Sequence, residues 1–263
     1  MGRRIDLRHD SSFATPSARK SRRSKRSRLI SKGLADAGLK RALDIIAAAT
    51  LLVVLSPVIV LLAVAIKLES RGPVFYRCRR VGRYGADLEM LKFRKMVDGA
   101  TGPALASTDD ERFTRLGGFL ARTKLDEVPQ LWNVLMGQMS LVGPRPEDPG
   151  FIALHREAYE QILSVRPGIT GYCQLAFARE SEILDSNDRE KHYVEQILPQ
   201  KVRLDCLYAA RPSFTVDLKI LWWTALAVVL SRDVAVHRET GKLGRRAPRT
   251  SEAYEGVAER APV

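Results

Sequence analysis

The chain has 263 residues, 45% of them apolar, enough for a packed domain and too many for wholesale disorder. Its 43 Lys and Arg against 30 Asp and Glu give a net charge of +13, which points to a polyanionic partner: nucleic acid, an acidic membrane face or a phosphorylated substrate. Cys78, Cys173 and Cys206 lie far apart with no ligand spacing, which argues against a disulfide scaffold or a structural zinc site and favours reduced, cytosol-facing chemistry.

Residues 1–36 are rich in Arg, Lys and Ser and read as a solvated, disordered basic arm. Ten Lys and Arg against Asp6 and Asp10 in the first 30 residues carry +8 of the charge, which leaves an ordinary +5 for the remainder. An apolar run follows from Ile45 to Ile66, its 22 positions broken only by Thr50, Ser56 and Pro57. It is long enough to cross a bilayer as one helix. Pro57 lacks an N–H and crowds the Val53 carbonyl, so the helix should kink or break there, with Ser56 beside it to bond the freed carbonyls. Both flanks are basic: Lys40 and Arg41 before, Lys67, Arg71, Arg77 and Arg79 after. A re-entrant helix hairpin over 37–70, broken at Ser56–Pro57, keeps both flanks on the cytoplasmic face. A kinked span with the arm outside is the alternative.

Residues 71–235 read as a soluble domain. PVFYRCRRVG and ADLEMLKF suggest paired strands around Gly82 and Gly85. Helical patterns follow at 109–119, stopping near Gly117–Gly118, and at 129–142 as far as Gly137. GPRPEDPG (143–150) reads as a turn-rich loop, 151–165 as a helix ended by Pro167–Gly168, and 181–210 as charged helix. ILWWTALAVVL (220–230) is too short to span; an interfacial helix near 219–231 and a buried core helix fit it equally. Residues 236–263 read as a disordered tail. The fold class is α+β and helix-rich.

No glycine-rich phosphate loop of the GxGxxG or GxxxxGK[ST] kind is present. TKLDEVPQLWNVL instead places Asp126 and Glu127 directly before an apolar-periodic helix, at a helix end that attracts anions. An ordinary Asp N-cap with a dipole-compensating Glu explains the pair. So do two carboxylates serving one centre through a bound cation or an irregular turn, since neighbours do not share a face on a regular helix. Around them lie Lys92, Arg94, Lys95, Arg115, Arg122 and Lys124, and Arg145 is locked between Pro144 and Pro146 as a preorganised anion fork. Cations beside carboxylates that bind Mg²⁺ suit phosphoryl transfer with a nucleotide diphosphate; a solvated basic face near an acidic membrane also explains part of the set.

KRALDI, the apolar–Pro–apolar run, GPVFYR, RVGRYG, LKFRKM, TKLDEVPQLWNVLMGQMSLVGPRPE and RPGITGYCQL follow in that order from about Leu39 to Thr224. This succession resembles the bacterial sugar transferases, the monotopic polyprenyl-phosphate phosphoglycosyl transferases. The resemblance implies a monotopic protein of the bacterial inner membrane: a helix that dips into the leaflet and returns at Ser56–Pro57, with a cytosolic catalytic domain. It implies Mg²⁺, a UDP-sugar donor and a polyprenyl (undecaprenyl) phosphate acceptor, joined through an aspartyl-phosphosugar intermediate that initiates exopolysaccharide or other glycan synthesis. Asp126 is then the nucleophile and Glu127 its assistant, both at the metal. Lys92, Arg94, Arg122, Pro144, Arg145 and Pro146 are the residues expected at the substrates. Ala121 stands where the family usually has Arg, with Arg122 one later; Cys78 replaces a frequent Gln, and Gln138 the usual Asp. Anionic inner-membrane lipids and a second copy of the chain are further candidate partners, and no nucleic acid is expected. The rival reading is a non-catalytic, membrane-docked assembly protein of a polysaccharide system.

Overall fold

A computed structural model describes residues 16–102, 105–106, 110–179, 189–230 and 234–245. It opens with α1 (Pro16–Glu69), a 54-residue helix holding both basic residues and the apolar run. Of the arm expected over 1–36, residues 1–15 lie outside the described residues, whereas 16–36 are helical, a stretch populated by the good helix formers Ala, Arg, Lys and Leu. The chain divides at Ala42, and everything from Leu43 onward belongs to a second unit.

Helical backbone continues through Pro57. The proline leaves the Val53 carbonyl without its amide donor, and Ser56 Oγ donates to that oxygen at 2.7 Å. The hydroxyl replaces the bond the ring removes, so the expected break is bridged. Among the described residues this is the one helix long and apolar enough to cross a membrane, and only 11% of its most apolar window is buried. Val53, Val54, Val60 and Leu61 in its middle are exposed, while Ala48, Leu62 and Ile66 towards the two ends are buried. Asp44 accepts from Leu141 N at 3.1 Å, and Glu69 accepts from Leu116 N at 3.0 Å. Both ends of the apolar segment are thus fastened to the same unit.

Strands β1 (Phe75–Val81) and β2 (Asp87–Phe93) form the expected antiparallel hairpin, with Tyr76 opposite Lys92 and Cys78 opposite Met90. Helix α2 (Arg115–Thr123) starts later than the pattern at 109–119 suggests. Thr114 Oγ1 caps it by accepting from Gly117 N at 2.9 Å, so the glycine pair begins the helix instead of stopping it. A Cβ on Gly117 would stand 1.8 Å from the Lys95 carbonyl oxygen, and only glycine lets the first turn pack this close. A 3₁₀ turn (Leu125–Glu127), α3 (Gln130–Leu135) and β3 (Ser140–Val142) follow. The helix expected over 151–165 is two, α4 (Pro149–Leu154), capped by Asp148, and α5 (Arg156–Ile162), parted where His155 leaves helical geometry at φ −134°.

β4 (Gly168–Thr170) returns parallel to β3, and α6 (Tyr172–Ala176) follows. Then come α7 (Arg189–His192), a π-helical stretch (Tyr193–Ile197), α8 (Leu198–Ala210) and α9 (Phe214–Leu230). Residues 181–188 of the expected charged helix lie outside the described residues. Helix α9 divides its two expectations: Asp217 and Ile220 are buried, whereas Trp222 and Val228 are 65% and 68% exposed. The tail expected over 236–263 forms a hairpin as far as Arg245, with β5 (Val234–Val236) antiparallel to β6 (Leu243–Arg245). Gly241, at φ 66°, makes its turn directly against the Tyr172 ring, a contact that local composition does not announce. Residues 246–263 lie outside the described residues. Val134, Met139, Leu204, Tyr208 and Ile220 form the centre of the main core, and Phe151, Tyr159, Tyr193 and Leu198 form a second.

Candidate active site

Lys124 ends α2 in the left-handed conformation, at φ 60°, and turns the chain into the 3₁₀ turn that carries the carboxylates. Asp126 points inward and is 1% exposed. Neither of its oxygens accepts a hydrogen bond. Lys95 Nζ lies 3.1 Å from Oδ2, close enough to pair charges but outside hydrogen-bonding direction. An N-cap aspartate would take a backbone N–H, and this one takes none, so the cap explanation of Asp126 fails. Pro129, at φ −61°, leads into α3 with no side-chain cap.

Glu127 faces the cations. Lys92 Nζ donates to its Oε1 at 3.0 Å, and Arg145 Nη2 lies 3.6 Å from the same oxygen. Burial pushes the Glu127 carboxyl up, but Lys92, Arg145 and Lys124 outweigh it and hold the group well below the usual carboxylate range. Asn133 of α3 locks the Lys92 strand in place: its Nδ2 donates to Glu89 O at 2.8 Å and its Oδ1 accepts from Leu91 N at 2.9 Å. The helix after the dyad and the strand carrying Lys92 are therefore one assembly.

Arg145 is delivered by β3. Pro144 O accepts from Gly168 N at 2.8 Å, and both Pro144 and Pro146 are buried. A Cβ on Gly143 would meet Arg166 O at 2.3 Å, and one on Gly171 would meet Gly143 O at 2.3 Å, so this crossing of backbones tolerates only glycine. Arg122 is exposed at the rim of a cleft of about 510 Å³. Lys92, Lys95, Lys124, Arg145, Arg80 and Arg112 also border it. Asp126 and Glu127 do not line the cleft themselves, but each contacts cations that do: Lys95 for Asp126, Lys92 and Arg145 for Glu127. Arg94 borders the cleft too, yet its guanidinium donates to Ser70 O and Ser70 Oγ, each at 2.9 Å, and to Arg71 O. Its visible work is to tie the end of α1 to β2.

Sequence reasoning missed the far wall of the cleft. Lys201 Nζ donates to Tyr193 Oη at 2.7 Å, and Tyr193 Oη donates to Glu147 Oε2 at 3.0 Å. Burial raises the Glu147 carboxyl, but Lys201, Arg145, the Tyr193 hydroxyl and Arg80 bring it below its usual value. Asp205 is pushed well above its usual value by burial. Glu147 directly follows the Pro–Arg–Pro motif and was legible there; Tyr193 and Lys201 come from a distant segment and carried no local signal.

Among the described residues no three His, Cys, Asp or Glu side chains gather as a metal cage. A buried carboxylate whose oxygens accept no hydrogen bond, beside a second carboxylate, fits an ion such as Mg²⁺ that takes its other ligands from phosphates and water.

The family model described as bacterial sugar transferase matches residues 35–231. The chain is 37% identical over 196 residues to the UDP-glucose:undecaprenyl-phosphate glucose-1-phosphate transferase of Escherichia coli (strain K12), covering 71% of this chain and 39% of that protein. It is 38% identical over 176 residues to the UDP-N-acetylgalactosamine-undecaprenyl-phosphate N-acetylgalactosaminephosphotransferase of Aeromonas hydrophila, covering 64% and 41%. It is 35% identical over 201 residues to the exopolysaccharide production protein PSS of Rhizobium leguminosarum bv. phaseoli, covering 73% and 96%. The chain spans about two-fifths of the length of the first two relatives and nearly all of the third.

Proposed function

Because the chain belongs to the bacterial sugar transferase family, we propose that it moves a sugar-1-phosphate from a UDP-sugar to undecaprenyl phosphate. The observation that carries this reading is Asp126, a buried carboxylate whose two oxygens accept no hydrogen bond, beside Lys95 of the cationic cleft. A carboxylate whose oxygens accept no hydrogen bond keeps its lone pairs for a reacting atom.

An oxygen of Asp126 attacks the sugar-proximal phosphorus of the donor. The bond from that phosphorus to the bridging oxygen breaks, and UMP leaves with the oxygen and its electron pair. An oxygen of the polyprenyl phosphate then attacks the same phosphorus, the acyl-phosphate bond breaks, and Asp126 is restored. Lys95, now beside Asp126, is placed to pass from the carboxylate to the donor phosphate as the donor arrives. Lys92 and Arg145 hold Glu127 ionised and face the developing phosphoryl charge. Asp126 and Glu127 would hold Mg²⁺, which neutralises diphosphate charge when bound. Relatives named for glucose and for N-acetylgalactosamine match at similar identity, 37% and 38%, so the sugar is left as a UDP-sugar class.

Membrane placement follows from α1. An apolar segment fastened to one unit at both ends, through Asp44 and Glu69, supports a re-entrant insertion with the catalytic unit at the cytoplasmic face of the inner membrane. The covalent step is tested by incubating the protein with UDP-sugars and Mg²⁺ without lipid acceptor. Intact mass spectrometry should show an added sugar phosphate mapping to Asp126, lost with hydroxylamine and absent in Asp126→Asn, which should also lose turnover. Glu127→Gln should be severely slowed but form some adduct. An adduct elsewhere, or substantial turnover by Asp126→Asn, refutes the mechanism; no UMP release from any UDP-sugar favours the assembly-protein rival.

A further inference from the structure

Asp44 stands directly before the apolar run Ile45–Ile66, a costly place for a carboxylate unless something needs it. It is 4% exposed, and its Oδ1 accepts the amide of Leu141, the middle residue of β3, at 3.1 Å. The neighbouring amides of this segment go elsewhere: Ser140 N to Pro167 O and Gly143 N to Thr170 O, both at 2.9 Å. Tyr208 Oη holds the next carbonyl, Val142 O, at 3.2 Å. A buried strand amide left without an acceptor is strongly disfavoured, so Asp44 completes the hydrogen bonding of β3.

The strand runs on through Gly143 and Pro144, both jammed against the β4 segment, to Arg145. No slack separates Leu141 from the arginine that reaches towards Glu127. We propose that Asp44 is a positioning residue for Arg145: by holding the Leu141 amide it registers the strand that presents Arg145 to Glu127 and the donor phosphates. The apolar helix is then part of the substrate site as well as an anchor. Asp44 touches neither the dyad nor the cleft and takes no part in bond making.

This rests on the reaction proposed above, and the experiment separates the two. With the full chain in detergent, Asp44→Asn keeps an acceptor oxygen for Leu141 N and should retain kcat/KM for the donor within about threefold. Asp44→Ala should lose about tenfold or more, chiefly through KM. Added to Arg145→Ala, the same change should cost less than about twofold further, because its effect passes through Arg145. Asp44→Ala within about twofold of the wild type, or full additivity in the double variant, overturns the proposal. If Asp44→Ala does not fold, Asp44→Ser, whose oxygen stops short of Leu141 N, enters the same cycle. UDP binding by calorimetry gives the cycle without chemistry. A wild type that binds UDP but releases no UMP counts against the reaction alone, whereas equal UDP affinity in wild type and Asp44→Ala counts against Asp44.

Discussion

Lys92 and Lys95 divide the two carboxylates between them, at 3.0 Å from Glu127 and 3.1 Å from Asp126. Glu127 and Glu147 both have folded-state pKa values below the ordinary 4.5, because their cations outweigh their burial. A depressed carboxylate stabilises the fold fully above the unfolded value, and that contribution disappears as pH falls through the folded value. Thermal stability should therefore fall on acidification below about pH 4.5. Lys92→Met removes the cation that acts most on Glu127, so less acid-labile stability remains and the decline from pH 7 to pH 3 should be shallower, with donor kcat/KM lower by about tenfold or more. Melting curves from pH 3 to pH 7 check this, and an equally steep decline would show that Lys92 is not what holds Glu127 ionised. At this scale the dyad was legible, because LDEVPQ marks a helix start with two acids. The Lys201–Tyr193–Glu147 chain was not, because its members meet only when α8 and the π-helical stretch pack behind the Arg145 loop.

The pair β3–β4 has only three residues in each strand and is held by glycines that let backbones touch. Gly143→Ala should destabilise the chain by about 2 kcal/mol or more and lower activity with it, since its Cβ meets backbone that cannot yield. Gly244→Ala, with nothing within 4 Å of its added Cβ, is the control expected to stay within about 0.5 kcal/mol. Thermal melting in detergent reads both. For α1, cysteine labels near residues 38 and 70 should both react from the cytoplasmic side. Pro57→Ala with Ser56→Leu should push part of the population towards a span, by restoring the backbone hydrogen bond to Val53 O that the proline removes and making the middle of the helix wholly apolar. A wild-type label at 38 that reacts only from the periplasm ends the re-entrant reading.

Over the whole molecule, charge is segregated: ten basic residues fall in the first 30, while the body is near ordinary. Each basic residue near an anionic surface contributes about 1 kcal/mol, screened by salt. Deleting residues 1–30 should lower affinity for anionic liposomes and leave turnover in detergent nearly intact. Flotation and UMP-release assays measure the two effects separately, and a loss of turnover with the fold retained would assign the arm more than electrostatic attraction. The division at Ala42 agrees with this split, since the site residues all lie in the second unit.

Composition and order alone determined the apolar helix, the β1–β2 hairpin, the Asp126–Glu127 pair and the Pro–Arg–Pro fork, because each is a local signal: hydropathy, alternation, a motif. Tertiary packing decided the rest. Gly117 and Gly118 read as a helix stop until the Lys95 carbonyl claimed the space a Cβ would fill. Asp126 also read as an ordinary cap, and its oxygens accept no hydrogen bond. Arg94 is expected at the substrates; it borders the cleft, and its two terminal nitrogens donate to Ser70 and Arg71. Asp44 stood in a helical motif with no visible task until β3 came beside it. In each case a short sequence specifies which groups are available, and only long-range contact specifies which partner satisfies them.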